Sequence, residues 1–180
     1  NVVSKLLAMA TLTPVFAGVS LLAAFAVTRR LAWVWSLLGA VLVDALCAVL
    51  KELIGQARPA GSYREGPGMP SEHAAFSAFL AVHLSLWTWV WVRCVPALKV
   101  VASCALAAWC AAVVLSRHHL GVHSPAQLAV GALIGVVAGV GWFCVERRYR
   151  VAFAKAEQRL DRAWAQLGIH FEGYSGKSAA

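Results

Sequence analysis

The chain has 180 residues, of which 61% are hydrophobic, with a mean hydropathy of +0.70 and a formal net charge of +8. A soluble domain of this length has no use for so much apolar surface, which argues against a water-soluble enzyme. The positive charge is not a nucleic-acid signature, because no solvated basic domain carries it; membrane proteins concentrate Lys and Arg in their cytoplasmic loops instead.

Five apolar stretches, at 6–27, 31–50, 74–92, 95–115 and 125–145, are long enough to cross a bilayer, which takes ~20 residues. The first lacks a small-residue cleavage site followed by a polar region, so it reads as a span rather than a signal peptide. The chain begins at Asn1 rather than Met, which leaves room for an upstream segment. The expected fold is all-α: a polytopic transmembrane helical bundle of about five spans in residues 1–145. Residues 146–172 follow as a cytoplasmic amphipathic segment, with Phe153, Leu160, Trp164 and Leu167 at helical spacing, and residues 173–180 as a disordered tail. Gly131, Gly135 and Gly139 recur every four residues in the fifth span, a spacing that lets helices pack closely and also suits a homo-oligomer. The cysteines (Cys47, Cys94, Cys104, Cys110 and Cys144) lie in or beside apolar spans, match no zinc spacing and are expected to be buried hydrophobes, with no metal site.

Three short polar segments interrupt this pattern: Lys51 to Arg58-Pro59, Pro70-Ser71-Glu72-His73, and Ser116-Arg117 to His123. With five crossings they share one face of the membrane. The opposite face carries Arg29, Arg30, Arg93, Lys99, Arg147, Arg148 and Arg150, so the charge bias makes that face cytoplasmic. Cations on the non-cytoplasmic face are better explained by an anion held there than by orientation. Ser71 is a natural N-cap for the third span, and Ser124-Pro125 starts the fifth. Free N–H groups at a helix start attract anions.

This inventory suits phosphoryl transfer. Lys51, Arg58 and Arg117 can neutralise the equatorial oxygens, and Ser71 can add a donor. One histidine can attack phosphorus while the other protonates the leaving group, with no metal or other cofactor required. His83, in mid-span, is expected to be packed, and His118 and His119 to be loop residues beside the site. Asp44, seven residues before Lys51, shares its helix face and is a candidate partner for it.

The pattern Lys-(six)-Arg-Pro, Pro-Ser-x-His, Ser-Arg-(five)-His resembles the type 2 phosphatidic acid phosphatase (PAP2) superfamily over about residues 1–145. The resemblance implies that His123 is a nucleophile forming a phosphohistidine and that His73 is the general acid. It implies that Lys51, Arg58, Ser71 and Arg117 bind the phosphoryl group. Two positions depart from the usual pattern: Glu72 stands where Gly is usual, and Gln127 where an Asp usually orients the nucleophile. Gln127, together with Gly68-Met69-Pro70-Ser71-x-His73, resembles the dolichyl-diphosphatase branch, with Gln127 as the orienting residue. That branch implies hydrolysis of dolichyl (polyprenyl) diphosphate in the endoplasmic reticulum, with a site facing the lumen, in support of N-glycosylation. The expected partners are this lipid substrate and membrane lipids, not nucleic acid. The alternatives are a phosphatase of the same fold for phosphatidate or another lipid phosphate, and a catalytically silent lipid-phosphate-binding protein. Replacing Gln127 by Asp is expected to leave a working enzyme.

Overall fold

The computed structural model describes Met9 and residues 12–166. It is all-helical among these residues: α1 (Thr13–Thr28), α2 (Leu31–Ile54), α3 (Glu72–Trp91), α4 (Pro96–His119), α5 (Pro125–Arg148) and α6 (Arg150–Gln166). Four of them, α2 to α5, are long and apolar enough to cross a membrane, and α1 is a shorter apolar helix. Part of the expected first span, all of the expected tail and Leu167 lie outside the described residues.

Helix α3 forms the centre. It is the most buried span, through a run of small residues and aromatics from Ala74 to Ala81. Its partner is α5, and the glycines explain the fit: Gly131 packs on the Ser71 backbone, Gly135 on Ala75 and Phe79, and Gly139 on Phe79 and Val82. A Cβ at Gly135 would lie 2.9 Å from both the Ala78 Cβ and the Phe79 amide nitrogen, so a side chain there would force the helices apart. The spacing of small residues thus serves packing within the chain. Large apolar side chains on α1, α2 and α4, such as Phe16, Leu42 and Val101, are exposed, as lipid-facing surfaces require.

A polar cluster pins the interior away from the basic segments. The His83 Nε2 lies 3.0 Å from the Ser36 Oγ and 3.6 Å from the Glu146 Oε2, joining α3, α2 and α5. His83 is therefore a packed core histidine, as expected. Glu146 differs from expectation: α5 runs on to Arg148, so Glu146 belongs to the bundle rather than to the surface helix, and it is fully buried. The amphipathic helix begins at Arg150 and folds back on the same end. The Glu157 carboxylate accepts from the Leu31 N–H at 2.9 Å, supplying the cap that α2 lacks in its own sequence. Phe153 packs edge-on to Trp35, and the Arg29 guanidinium sits 5.0 Å from the Trp164 ring.

Because successive helices alternate in direction, the end of α2, the start of α3, the end of α4 and the start of α5 meet at one end of the bundle. The loop between α2 and α3 covers that end. Its neck is closed by an Ala57–Pro67 bridge and by a Gly68 N–H to Gln56 carbonyl bond of 2.7 Å.

Candidate active site

The three polar segments converge at this end. Lys51 occupies the last turn of α2, Ser71, Glu72 and His73 the start of α3, Arg117 the last turn of α4, and His123 and Gln127 the start of α5. Arg58 reaches in from the covering loop. Lys51, Ser71, Arg117, His123 and Gln127 are buried, and Arg58 and His73 half-buried.

Ser124 caps α5 as expected and forms a complete capping box: its hydroxyl accepts from the Gln127 N–H at 3.3 Å, and the Gln127 Oε1 accepts from the Ser124 N–H at 3.1 Å. Ser71 stands at the N-cap of α3, but its side chain makes no capping bond. Its backbone N–H instead donates to the Gln127 carbonyl at 3.1 Å, stitching α3 to α5. The Ser71 hydroxyl is left buried without a partner, and so are the Arg58 Nε and the Arg117 Nε and Nη2. Buried donors in this state call for an acceptor, and an oxyanion supplies several.

The surroundings of His123 fix its tautomer. Its Nδ1 lies 3.0 Å from the Gly68 carbonyl, which can only accept, so Nδ1 carries the hydrogen. The Gln127 Oε1, 3.3 Å away, accepts from the same N–H. The lone pair is therefore on Nε2, where the Arg58 Nη1 approaches to 3.4 Å while donating to the Val122 carbonyl at 3.0 Å. Burial, then Arg58 and Arg117, push the His123 pKa down to about 4, so the imidazole is neutral at physiological pH. Burial, and then Arg64, also lower the Arg58 pKa, with Glu72 opposing.

Gln127 does more than face the nucleophile candidate. Its Nε2 donates to the Gln56 Oε1 at 3.0 Å and to the Ala57 carbonyl at 2.8 Å, the two residues before Arg58. The amide cannot be flipped, since Ser124 presents an N–H to one end and Ala57 a carbonyl to the other. One side chain thus sets both His123 and the loop that carries Arg58. Gly68 completes the fit, because a Cβ there would come within 2.7 Å of the Gln127 amide and 2.9 Å of the Arg58 Cγ.

Lys51 pairs with Glu72 at 2.7 Å, rather than with Asp44. His118 and His119 are exposed in the last turn of α4 rather than in a loop. The contributions of Gln56, Ala57, Gly68 and Val122 were not legible in the sequence, since three of them act through backbone carbonyls; the glycine at position 68 was the only local sign.

Residues 32–150 match the PAP2 superfamily. The chain belongs to the PAP2 superfamily. Among its curated relatives is lipid phosphate phosphatase epsilon 1, chloroplastic, of Arabidopsis thaliana, 31% identical over 111 residues covering 61% of this chain and 39% of that protein. Another is the dolichyldiphosphatase of Saccharomyces cerevisiae, 30% identical over 151 residues, covering 79% of this chain and 63% of that one. The chain thus spans about two fifths of the first of these and under two thirds of the second. Among solved structures, a transmembrane PAP2-type phosphatidylglycerolphosphate phosphatase from Bacillus subtilis superposes with a TM-score of 0.68 at 18% identity, covering 81% of this chain and 77% of that one. At that identity the likeness speaks for the shared membrane fold. This PAP2 protein is accordingly an integral membrane protein of all-helical architecture.

Proposed function

We propose that this PAP2 protein is a metal-independent membrane lipid phosphatase that removes the terminal phosphate of a polyprenyl (dolichyl) diphosphate through a phosphohistidine at His123. The observation that carries the chemistry is a neutral imidazole, lone pair on Nε2, among buried unpartnered donors of Arg58, Arg117 and Ser71. Those donors would take the equatorial oxygens, drawing the Arg58 guanidinium off the Nε2 lone pair and freeing it to attack. The bond from phosphorus to the leaving oxygen then breaks, and His73 delivers a proton to that oxygen. In the second half, water attacks phosphorus, His73 takes back a proton, the P–N bond breaks and orthophosphate leaves. The charge of the transferring group is balanced by fixed guanidinium groups and Lys51, which is why the donor set itself needs no cation.

Gln127 and the Gly68-Met69-Pro70-Ser71 run support the diphosphate substrate, as does the similarity to a dolichyldiphosphatase. On this reading the site faces the lumen of the endoplasmic reticulum, and the basic end with α6 faces the cytoplasm. The similarity to lipid phosphate phosphatases favours a second reading, phosphatidate as substrate with the same mechanism. The test is phosphate release in detergent with excess EDTA, dolichyl diphosphate against phosphatidate, for wild type and His123→Ala. EDTA-resistant release that prefers dolichyl diphosphate and vanishes in the variant is expected. Release from phosphatidate alone would overturn the substrate, and EDTA-sensitive release would overturn the metal-free chemistry.

A further inference from the structure

Among the described residues, Glu72 is the acidic side chain that forms an ion pair with a cation of the site, and the mechanism above gives it no task. It is the first residue of α3, between Ser71 and His73, and its carboxylate reaches back to the Lys51 Nζ at 2.7 Å. The two side chains are only 24% and 11% exposed, so water screens the pair weakly. Arg58 also feels the Glu72 charge. The remaining donors of the site behave differently: Arg58, Arg117 and Ser71 keep buried polar atoms without partners, whereas Lys51 is already engaged. One of the cations expected to hold phosphate is thus already paired with an internal anion.

We propose that Glu72 is a specificity-determining residue that competes with the ligand for Lys51, weakening the hold on every phosphate anion and most of all on the more highly charged ones. This rests on the phosphate-site reading above. A ligand oxygen reaching Lys51 must share its ammonium with the Glu72 carboxylate or displace it, and in either case lies beside that negative charge. The cost grows with the ligand's own charge, so it falls more heavily on pyrophosphate than on orthophosphate. The same competition works on the product. Once the phosphoryl group has been hydrolysed, Glu72 recaptures Lys51 and helps orthophosphate leave, which keeps the site from being clogged by the anion it produces. A carboxylate whose only task is to tie α2 to α3 would stabilise the fold without changing anion affinity.

The test is equilibrium binding of orthophosphate and of pyrophosphate to the purified full chain in detergent at fixed pH and ionic strength. Wild type is compared with Glu72→Gln, Glu72→Gly and Glu72→Asp, with melting temperatures recorded for each and Arg117→Ala as the control for the site itself. Removing a unit charge at ion-pair distance from a site cation is expected to tighten orthophosphate binding about tenfold in Glu72→Gln and Glu72→Gly, and pyrophosphate binding by a larger factor. Glu72→Asp, which keeps the charge, is expected to stay within about threefold of wild type. If binding depends on Arg117 but is unchanged or weakened in Glu72→Gln and Glu72→Gly, Glu72 is a structural partner and the inference is overturned. An equal gain for both anions would overturn its charge selectivity. If neither anion binds in an Arg117-dependent way, the phosphate-site reading fails, and the role of Glu72 with it.

Discussion

Exchanging the Gln127 amide for a carboxylate, in Gln127→Glu, keeps the length and the Oε1 acceptor and replaces the donor half of the side chain by a charged oxygen. Two bonds are lost, to the Gln56 Oε1 at 3.0 Å and the Ala57 carbonyl at 2.8 Å. Gln56 and Ala57 are exposed, so water can satisfy the abandoned acceptors. The net value of about 0.5–1.5 kcal/mol per lost hydrogen bond therefore sets the minimum, to which the buried carboxylate oxygen facing these two acceptors adds. The loss is thus at least about 1–3 kcal/mol, and since it loosens the segment that places Arg58, it is expected as a fall in kcat/KM of roughly 5- to 150-fold or more. The new charge acts on His123 as well. A carboxylate 3.3 Å from Nδ1 stabilises the imidazolium, so the acid limb of the pH profile moves upward from its wild-type position. Steady-state phosphate release between pH 4 and pH 8 reads both effects at once. A Gln127→Glu protein with wild-type kcat/KM and an unmoved acid limb would refute the reasoning. The shorter Gln127→Asp loses the same donor, so the working enzyme expected from the sequence is expected to have reduced activity.

Because burial, Arg58 and Arg117 hold the His123 pKa near 4 rather than at the ordinary 6.5, the imidazole stays neutral as pH falls through 6.5 and is protonated only near 4, and on the proposed mechanism the acid limb of kcat/KM lies there. An acid limb of kcat/KM near 6.5 would contradict that environment. The two capping serines are expected to separate stability from activity. Ser124→Ala removes a formed cap and lowers stability by about 0.5–2 kcal/mol. Ser71→Ala removes a hydroxyl that bonds to no other protein group, so its melting temperature stays at the wild-type value while kcat/KM falls about tenfold or more. Equal melting losses would show that both serines are merely caps. Gly135→Leu drives a side chain into Ala78 and Phe79 and is expected to cost about 1–3 kcal/mol, whereas Gly141, with nothing within 4 Å of its Cβ position, accepts Leu without loss. Thermal melting in detergent checks the pair, and matching melting temperatures would contradict the α3–α5 packing.

The spans and the polar residues of the site were legible in the sequence because apolar runs and spaced basic or histidine residues survive projection onto one dimension. Each of Lys51, Arg58, Ser71, His73, Arg117, His123 and Gln127 comes to the same end of the bundle for the reason visible in the chain, namely alternation of helices. What could not be read was contact made by backbone. The Gly68 carbonyl that fixes the His123 tautomer, and the Ala57 carbonyl that holds the Gln127 amide, leave no trace in side-chain chemistry. Partner choice was equally hidden. Helical spacing pointed to Asp44 as the partner of Lys51, and the approach of α3 to the end of α2 decides for Glu72 instead. Hydropathy also ended the fifth span at Val145, since it sees Glu146 as polar; the structure continues the helix to Arg148 and buries that carboxylate 3.6 Å from the His83 Nε2.

The central claim is that His123 carries the phosphoryl group covalently. The most direct measurement is rapid quenching of the protein with a lipid phosphate substrate radiolabelled in its terminal phosphate, followed by counting of protein-bound label. The account predicts an alkali-stable, acid-labile phosphoenzyme in the wild type that accumulates within the first turnover and is absent from His123→Ala. Label that persists in His123→Ala, or full turnover in that variant, would contradict it.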